Sequence, residues 1–572
     1  MKLNPLHLID FYKANHFKFY GPETEFLYNN FTPRSTKYLE KIEGTDDKIA
    51  LVGLQYFIKY FLIDTWNSEF FNKPKEEVVR KYKRRMDNSL GVDAVSTKHI
   101  SDLHDLGYLP IKIKSLPEGS AVNAKIPFFT VKNTVKGYGW LSGYLEDPLS
   151  CLTWKTATSA TIARKYKQIG LTAAKRTGVD VGFVDFQFHD FQLRGCSGPQ
   201  DAVMSGAGHL MNFVGTDNVP AIDFLEDYYN ANSDIELVGC SVYANEHSCV
   251  CSGKKENEFA NYEKWITKTF PNGILSLVSD TWSLWNVITN YLPRLKDVIM
   301  TRDGKVVIRP DSSPKTPLEI ICGDCDMISL PDYVESLDHA KEYTEDVIAD
   351  RIKTATSHGE CGDRYGEAYF NYDGITYKIV VELDWSRYDK QYYYVDDSSI
   401  KSCEPHVLTP EQKGCVQLLW EIFGGTINEA GFKVLDPHIG LLYGEAITLQ
   451  LAGKIFKRLE EMGFASSNVL FGIGSFSYEY RSRDTLGWAC KATASVVDGE
   501  FREIFKDPIT DDNMKKSAKG LLRVDKIDGE FVLKDQCTAE EEAGGELKTV
   551  FENSKLIVNW TLAEIRETLS NS

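Results

Sequence analysis

From about residue 152 onward the chain alternates helical stretches with short apolar runs, and its most distinctive polar residues stand where those runs end. A helical pattern over 152–176 precedes an apolar stretch at 182–186, read as a strand, and then a second helical pattern over 198–213. Strands that alternate with covering helices pair in parallel, as an open sheet or as a barrel. Such folds carry their chemistry on loops at the carboxyl ends of the strands. Asp217, Asp280, Arg309, Asp311, Glu445 and Gly474 all hold such positions, which favours a barrel-type site.

The rest of the chain is organised differently. Residues 1–150 mix a helix at 78–90 with a short strand at 124–131, an α+β pattern. Between Asp311 and Gly444 the sequence predicts an acidic helix over 331–352. It then predicts a hairpin turning at Asp373-Gly374, between runs of aromatic and β-branched residues. Thr409-Pro410-Glu411-Gln412 reads as a helix start, with Gly424 placed to stop it.

Composition narrows the function. The 572 residues contain ample apolar content for two or three packed units. Lys and Arg total 65 against 82 Asp and Glu, and the net charge of −17 gives no footprint for nucleic acid or a membrane surface. An anionic substrate must therefore meet a local cluster of cations. The first residues lack the apolar run of a secretory signal, and no apolar segment is long enough to span a bilayer, so a cytoplasmic protein is expected. Twelve scattered cysteines fit reduced thiols, and neither Cys322-Gly323-Asp324-Cys325 nor Cys249-Val250-Cys251 has a second pair at zinc spacing.

Three motifs carry the functional signal: His189-Asp190-Phe191-Gln192-Leu193-Arg194-Gly195, then Gly215-Thr216-Asp217, then Ser241-Val242-Tyr243-Ala244-Asn245-Glu246-His247-Ser248. Further pieces follow in order: Asp10-Phe11-Tyr12-Lys13 upstream, then Ile308-Arg309-Pro310-Asp311-Ser312, Tyr443-Gly444-Glu445, Phe471-Gly472-Ile473-Gly474-Ser475, Arg483-Asp484, Lys491 and Phe505-Lys506-Asp507-Pro508. In this order the chain resembles the nicotinamide phosphoribosyltransferase family of type II phosphoribosyltransferases, with a large insertion after Asp311.

The resemblance implies an irregular α/β barrel with an additional, mostly β domain built from both chain ends. The implied division is a flanking-domain part at 1–150, a catalytic barrel at 151–490 with the insertion at about 320–408, and the rest of the flanking domain at 491–572. It further implies that Phe191 and Tyr12 sandwich a pyridine ring, with Tyr12 supplied by the other subunit of a homodimer. Asp217 would accept from the amide of nicotinamide and repel the carboxylate of nicotinate. Arg194, His247, Arg309 and Arg483 match positions around the sugar phosphates. Arg34, Lys491 and Lys506 match cations reaching phosphate from the neighbouring chain. Asp311 with Gly444 and Glu445 would hold the ribose hydroxyls, and Gly474 would bring a backbone N–H to phosphate. Ser241 and Asp280 complete the substrate set.

Two departures stand out: Glu445 replaces the usual aspartate, and Ser475 replaces a second glycine common in relatives. A backbone nest survives the second change if the local φ is negative. The family uses magnesium, bound mainly through pyrophosphate, and can phosphorylate the histidine matching His247 with ATP; Glu246 is placed to orient that ring.

The implied reaction joins nicotinamide to 5-phosphoribosyl 1-pyrophosphate, giving nicotinamide mononucleotide and pyrophosphate. One alternative donor is ADP-ribose pyrophosphate, which would give NAD directly; the insertion keeps it open. Nicotinate as the base is disfavoured by Asp217. A non-catalytic binding protein of the same fold is a third reading.

Overall fold

A computed structural model describes residues 3–21, 23–311, 315–356, 364–388, 391–505 and 518–572. The chain forms two compact units, one of residues 1–241, 446–453 and 470–572, the other of residues 242–445 and 454–469. Both combine strands and helices, the α/β class expected from the alternation of patterns.

The first unit holds a seven-stranded sheet drawn from both chain ends. Its order is Glu500–Glu503, Ala489–Val497, Thr24–Thr32, Phe129–Asn133, Ile111–Ser115, Lys548–Glu552 and Lys555–Leu556. Every pairing is antiparallel, and Asn30 faces Lys491 across more than four hundred residues of sequence. Strands from both ends of the chain thus share one sheet. The helix Trp154–Thr177 is buried along most of its length and stops at Gly178, which takes the left-handed conformation.

Beside that helix the expected strand at 182–186 is absent. Asp180 caps a 3-10 turn, Val181–Phe183, by accepting from the Gly182 N–H, and the short helix Val184–Gln187 follows. Val184 and Gln187 are buried while Phe186 is 42% exposed, so burial follows a helical period and not the period of two a strand needs. The strand is Phe188–Asp190, pairing in parallel with Phe471, Gly472 and Ile473. Bridges from Asp190 to Thr216 and from Gly215 to Cys240 extend this parallel set. The strand expected at 124–131 likewise starts late, at Phe129–Asn133, because Lys125 takes a φ of 76° and turns the chain.

Glu118 ties the first unit together from inside. It is 1% exposed and accepts from the Gly53 and Gln55 N–H groups at 3.0 and 2.5 Å, where the helix Leu54–Tyr56 begins. Burial outweighs these bonds and pushes its carboxyl up to about 7. The folded state thus binds this proton more tightly than the unfolded chain does. The associated stability is complete below about pH 4.5 and is lost as pH rises towards 7. Melting temperature is expected to fall across that window in the wild type and to fall less in Glu118→Gln. Parallel slopes for the two proteins would refute the assignment.

The second unit contains four parallel strands in the order Ile439–Tyr443, Val306–Arg309, Leu275–Val278 and Tyr243–Ala244. Helices such as Leu292–Met300 and Pro410–Phe423 connect them. Thr409 and Gln412 form the capping box read from sequence, and Gly424 ends that helix. The region between Asp311 and Gly444 contributes a four-stranded sheet, Met327–Ile328, Tyr365–Tyr372, Ile375–Tyr388 and Gln391–Pro405. Its turn is the expected one: Asp373 and Gly374 take φ of 50° and 76°, and Tyr372 pairs with Ile375. The helix Leu337–Thr356 packs on this sheet around Ala340, Ile348, Phe370 and Val381. It begins later than the expected residue 331 because Ser336 supplies the cap, accepting from the His339 N–H at 3.1 Å. Among the described residues, no helix is long and apolar enough to cross a membrane.

Candidate active site

In the first unit the motif residues meet where the strand Phe188–Asp190 ends. Asp190 is fully buried; it accepts from the Gln192 N–H at 2.9 Å and from the Thr216 hydroxyl at 3.3 Å. It therefore shapes the turn, and its own backbone oxygen receives the Asp217 N–H at 2.9 Å. Phe191 leaves the strand with its N–H bonded to Ile473, and its ring centre lies 4.7 Å from that of His189. Among the described residues no ring contact joins Phe191 to Tyr12, which is 58% exposed and lies 5.1 Å from His16.

Asp217 is the focus of this cluster. His189 Nε2 and Ser241 Oγ both reach its Oδ1, at 2.9 and 2.5 Å, and its side chain keeps 45% exposure. Gly215 makes this possible, because a Cβ there would lie only 2.8 Å from His189 Nδ1. Behind it, His209 Nε2–H donates to the Gly215 carbonyl at 3.1 Å, so its Nδ1 accepts from Tyr478 at 2.8 Å. Burial pushes that imidazole down to about 3, which keeps it neutral. His189 is the residue the sequence motifs contained but did not single out; its place two residues before Phe191 was the available signal.

Arg194 is exposed on the turn Leu193–Gly195. Gly474 has φ −90° and caps the helix Ser475–Glu479, so the negative φ needed for the Ser475 departure is met. The Ser475 hydroxyl fills the space a side chain would need at Gly195. Gly195→Ala is therefore expected to cost about tenfold in kcat/KM, with Ser475→Gly restoring most of it in the double variant. Additive losses in steady-state kinetics would refute this coupling.

In the second unit, His247 opens the short helix His247–Ser252. Its Nδ1 meets Thr281 Oγ1 at 3.0 Å, and its Nε2 lies 3.5 Å from Asp311 and 3.8 Å from Asp280. Glu246 does not orient this ring as expected; its carboxylate instead accepts from the Ser248 hydroxyl. Asp280, whose side chain is 5% exposed, accepts from the Asp311 N–H at 2.9 Å and so fixes the turn after the strand Val306–Arg309. Arg309 donates to the Asn245 carbonyl, while Asn245 Oδ1 accepts from Val278 at 2.7 Å. Burial, followed by the charges of Glu445, Asp280 and Asp311, raises the Tyr443 phenol. Glu445 is exposed, and the chain turns directly after it, with Ala446 at φ 53°.

Arg34, Lys491 and Arg483 all belong to the first unit. Arg34 Nε donates to Gly487 at 2.8 Å, Lys491 is exposed on its strand, and Arg483 is half exposed beside Asp484. Lys506 lies outside the described residues. Among the described residues, the one group of His, Cys, Asp or Glu at metal-binding spacing is Cys196, Asp201 and Glu479, and Lys155 pairs with both carboxylates there at 3.2 and 2.6 Å. Cys322 and Cys325 are buried thiols raised to about 12, poor metal ligands as they stand.

The cluster around Asp217 and the cluster around His247 each sit on loops at the carboxyl ends of parallel strands, as in an α/β protein. The sequence profile of the nicotinate phosphoribosyltransferase (NAPRTase) family matches residues 186–340 and 387–555. Nicotinamide phosphoribosyltransferase of Acinetobacter baylyi is 45% identical over 575 aligned positions, covering all of this chain and 97% of that protein. Nicotinamide phosphoribosyltransferase of Xanthomonas campestris pv. campestris is 27% identical, covering 97% and 96%. Among solved structures, nicotinate-nucleotide pyrophosphorylase from Pyrococcus furiosus aligns with a TM-score of 0.46 at 12% identity, covering 98% of this chain and 93% of that one. The chain belongs to the nicotinate phosphoribosyltransferase family. The profile matches on either side of residues 341–386, and the Acinetobacter alignment runs across them.

Proposed function

We infer that this protein is a nicotinamide phosphoribosyltransferase of NAD salvage. It transfers a phosphoribosyl group from 5-phosphoribosyl 1-pyrophosphate to nicotinamide. The observation that carries the choice of base is Asp217, an exposed carboxylate aimed by His189 and Ser241: it accepts from an amide N–H and repels a carboxylate. The relatives named above, one of them 45% identical, carry the same activity in their names. Because that alignment includes the insertion, the insertion gives no ground for a different donor, and neither ADP-ribose pyrophosphate nor a purely binding role is favoured.

In the transfer, the pyridine nitrogen forms a bond to the anomeric carbon as the carbon–oxygen bond to pyrophosphate breaks. The electron pair leaves with pyrophosphate, and no proton moves at the ring nitrogen. Catalysis then rests on alignment and charge. Phe191 stacks the base, Asp217 sets its orientation, and Asp311 holds a ribose hydroxyl. Arg309 and His247 meet developing negative charge.

Magnesium is proposed to enter mainly through the pyrophosphate, whose charge it would neutralise when bound, with Asp280 and Asp311 beside His247 as hard oxygen donors on this chain. ATP is proposed to stimulate the reaction through His247. A cytoplasmic homodimer is proposed, with Tyr12, Arg34, Lys491 and Lys506 supplied to the neighbouring subunit.

The deciding experiment is a mass-resolved product assay with nicotinamide and magnesium, comparing the two pyrophosphate donors with and without ATP. Nicotinamide mononucleotide from 5-phosphoribosyl 1-pyrophosphate is expected. NAD formed directly, or no product from either donor, would overturn the reading.

A further inference from the structure

Within the first unit, on the antiparallel sheet of both chain ends, lies a cavity of about 530 Å³. Arg34 and Lys491, the cations proposed above to meet phosphate, both line it, and so does Lys125. Three positive groups in one cavity are notable in a chain of net charge −17. Among the described residues none of the three pairs with a carboxylate within 4 Å. Asp535, which also lines the cavity, instead accepts from the Lys519 N–H at 3.2 Å.

The floor is built from polar groups already held in place. Asn30, 5% exposed, donates from Nδ2 to the Lys491 carbonyl at 3.1 Å and accepts the Thr32 hydroxyl at 2.7 Å. Lys125 is fixed to the same rim, its N–H bonding the Pro33 carbonyl at 2.7 Å directly before Arg34. It holds φ 76°, a region that disfavours any residue with a side chain and suits glycine. Lys125 is exposed at this point and lines the cavity, so its ammonium is open to an anion held there.

We propose that Lys125 is a third cation of this cavity and binds a phosphate oxygen of the ribosyl pyrophosphate donor. The proposal rests on the phosphoribosyl transfer inferred above and adds a residue to it. A flexible ammonium suits a phosphate that must enter and leave, while the Arg34 guanidinium, anchored on the Gly487 carbonyl, supplies the fixed partner.

The test uses the full-length protein with inorganic pyrophosphate as the calorimetric probe, alongside steady-state kinetics and melting curves. Lys125→Gly is expected to weaken pyrophosphate binding and raise the donor KM by about 5- to 20-fold. The KM for nicotinamide should stay within about twofold, and the melting temperature should hold or rise by roughly 1–2 °C as the left-handed strain is relieved. Lys125→Arg should recover donor KM to within about threefold of wild type. Pyrophosphate affinity unchanged in Lys125→Gly would overturn the proposal, as would wild-type protein that binds no pyrophosphate. A melting temperature several degrees lower, with both substrates affected alike, would assign Lys125 a structural role and overturn it too. If wild type forms no nicotinamide mononucleotide yet binds pyrophosphate in a Lys125-dependent way, the cavity stands and the reaction assigned to the protein falls.

Discussion

Asp217→Asn is expected to lower kcat/KM for nicotinamide about 100-fold and to erase most of the preference over nicotinate. The substitution keeps size and removes charge, so it isolates the electrostatic part of recognition. A hydrogen bond to a charged group contributes about 1.5–3 kcal/mol, which spans the expected loss. The second half of the effect is the release of repulsion. With no anion at the end of the pocket, the nicotinate carboxylate no longer meets a like charge, and its kcat/KM should hold or rise. His189 and Ser241 both bond the same oxygen of Asp217, so the replacement amide will be held in nearly the same place. Competition kinetics with the two bases read the ratio directly. An amide preference that survives intact would mean that Asp217 does not select the base.

The other large effect is expected at Asp311. Its side chain is 42% exposed and lies 3.5 Å from His247 Nε2, while its backbone N–H is held by Asp280. Asp311→Ala therefore leaves the turn intact and removes only the carboxylate. If that carboxylate holds ribose hydroxyls through charge-assisted bonds, kcat/KM for the donor should fall by about 10²- to 10³-fold. The melting temperature should change little, because the lost group is half solvated. Asp280→Ala makes the contrast: its carboxylate is buried and anchors backbone, so both stability and activity should drop. A loss below about fivefold in Asp311→Ala, with a normal melting curve, would remove Asp311 from the donor site.

Much of the fold and of the site is legible in the sequence itself. Polar residues at the ends of apolar runs marked the carboxyl ends of parallel strands, because alternation leaves them nowhere else to go. Local chemistry was equally readable at Asp373-Gly374, where both residues must take positive φ, and at Thr409, where a hydroxyl and Gln412 satisfy each other's backbone.

Where the structure departs from the sequence pattern, the cause is contact between residues distant in the chain or the phase of a run. At 182–186 the apolar run carries a helical phase, with Val184 and Gln187 buried three residues apart. Glu246 was paired with His247 because the two are adjacent, yet a residue's neighbour in sequence points elsewhere, and Thr281 takes the ring. The accommodation of Ser475 by Gly195 was invisible for the same reason: the two are far apart in the chain and meet only once it is folded.

The sheet made of both chain ends also has a temporal side. The strand Thr24–Thr32 takes Ala489–Val497 as a neighbour on one edge, and that partner is synthesised roughly 460 residues later. At about 5–20 residues per second, a nascent chain on the ribosome carries this unpaired edge for roughly 25–90 seconds. An unpaired edge of that length invites pairing with other chains. Ribosome stalling or premature termination before residue 489 should thus leave this edge open to pairing with other chains.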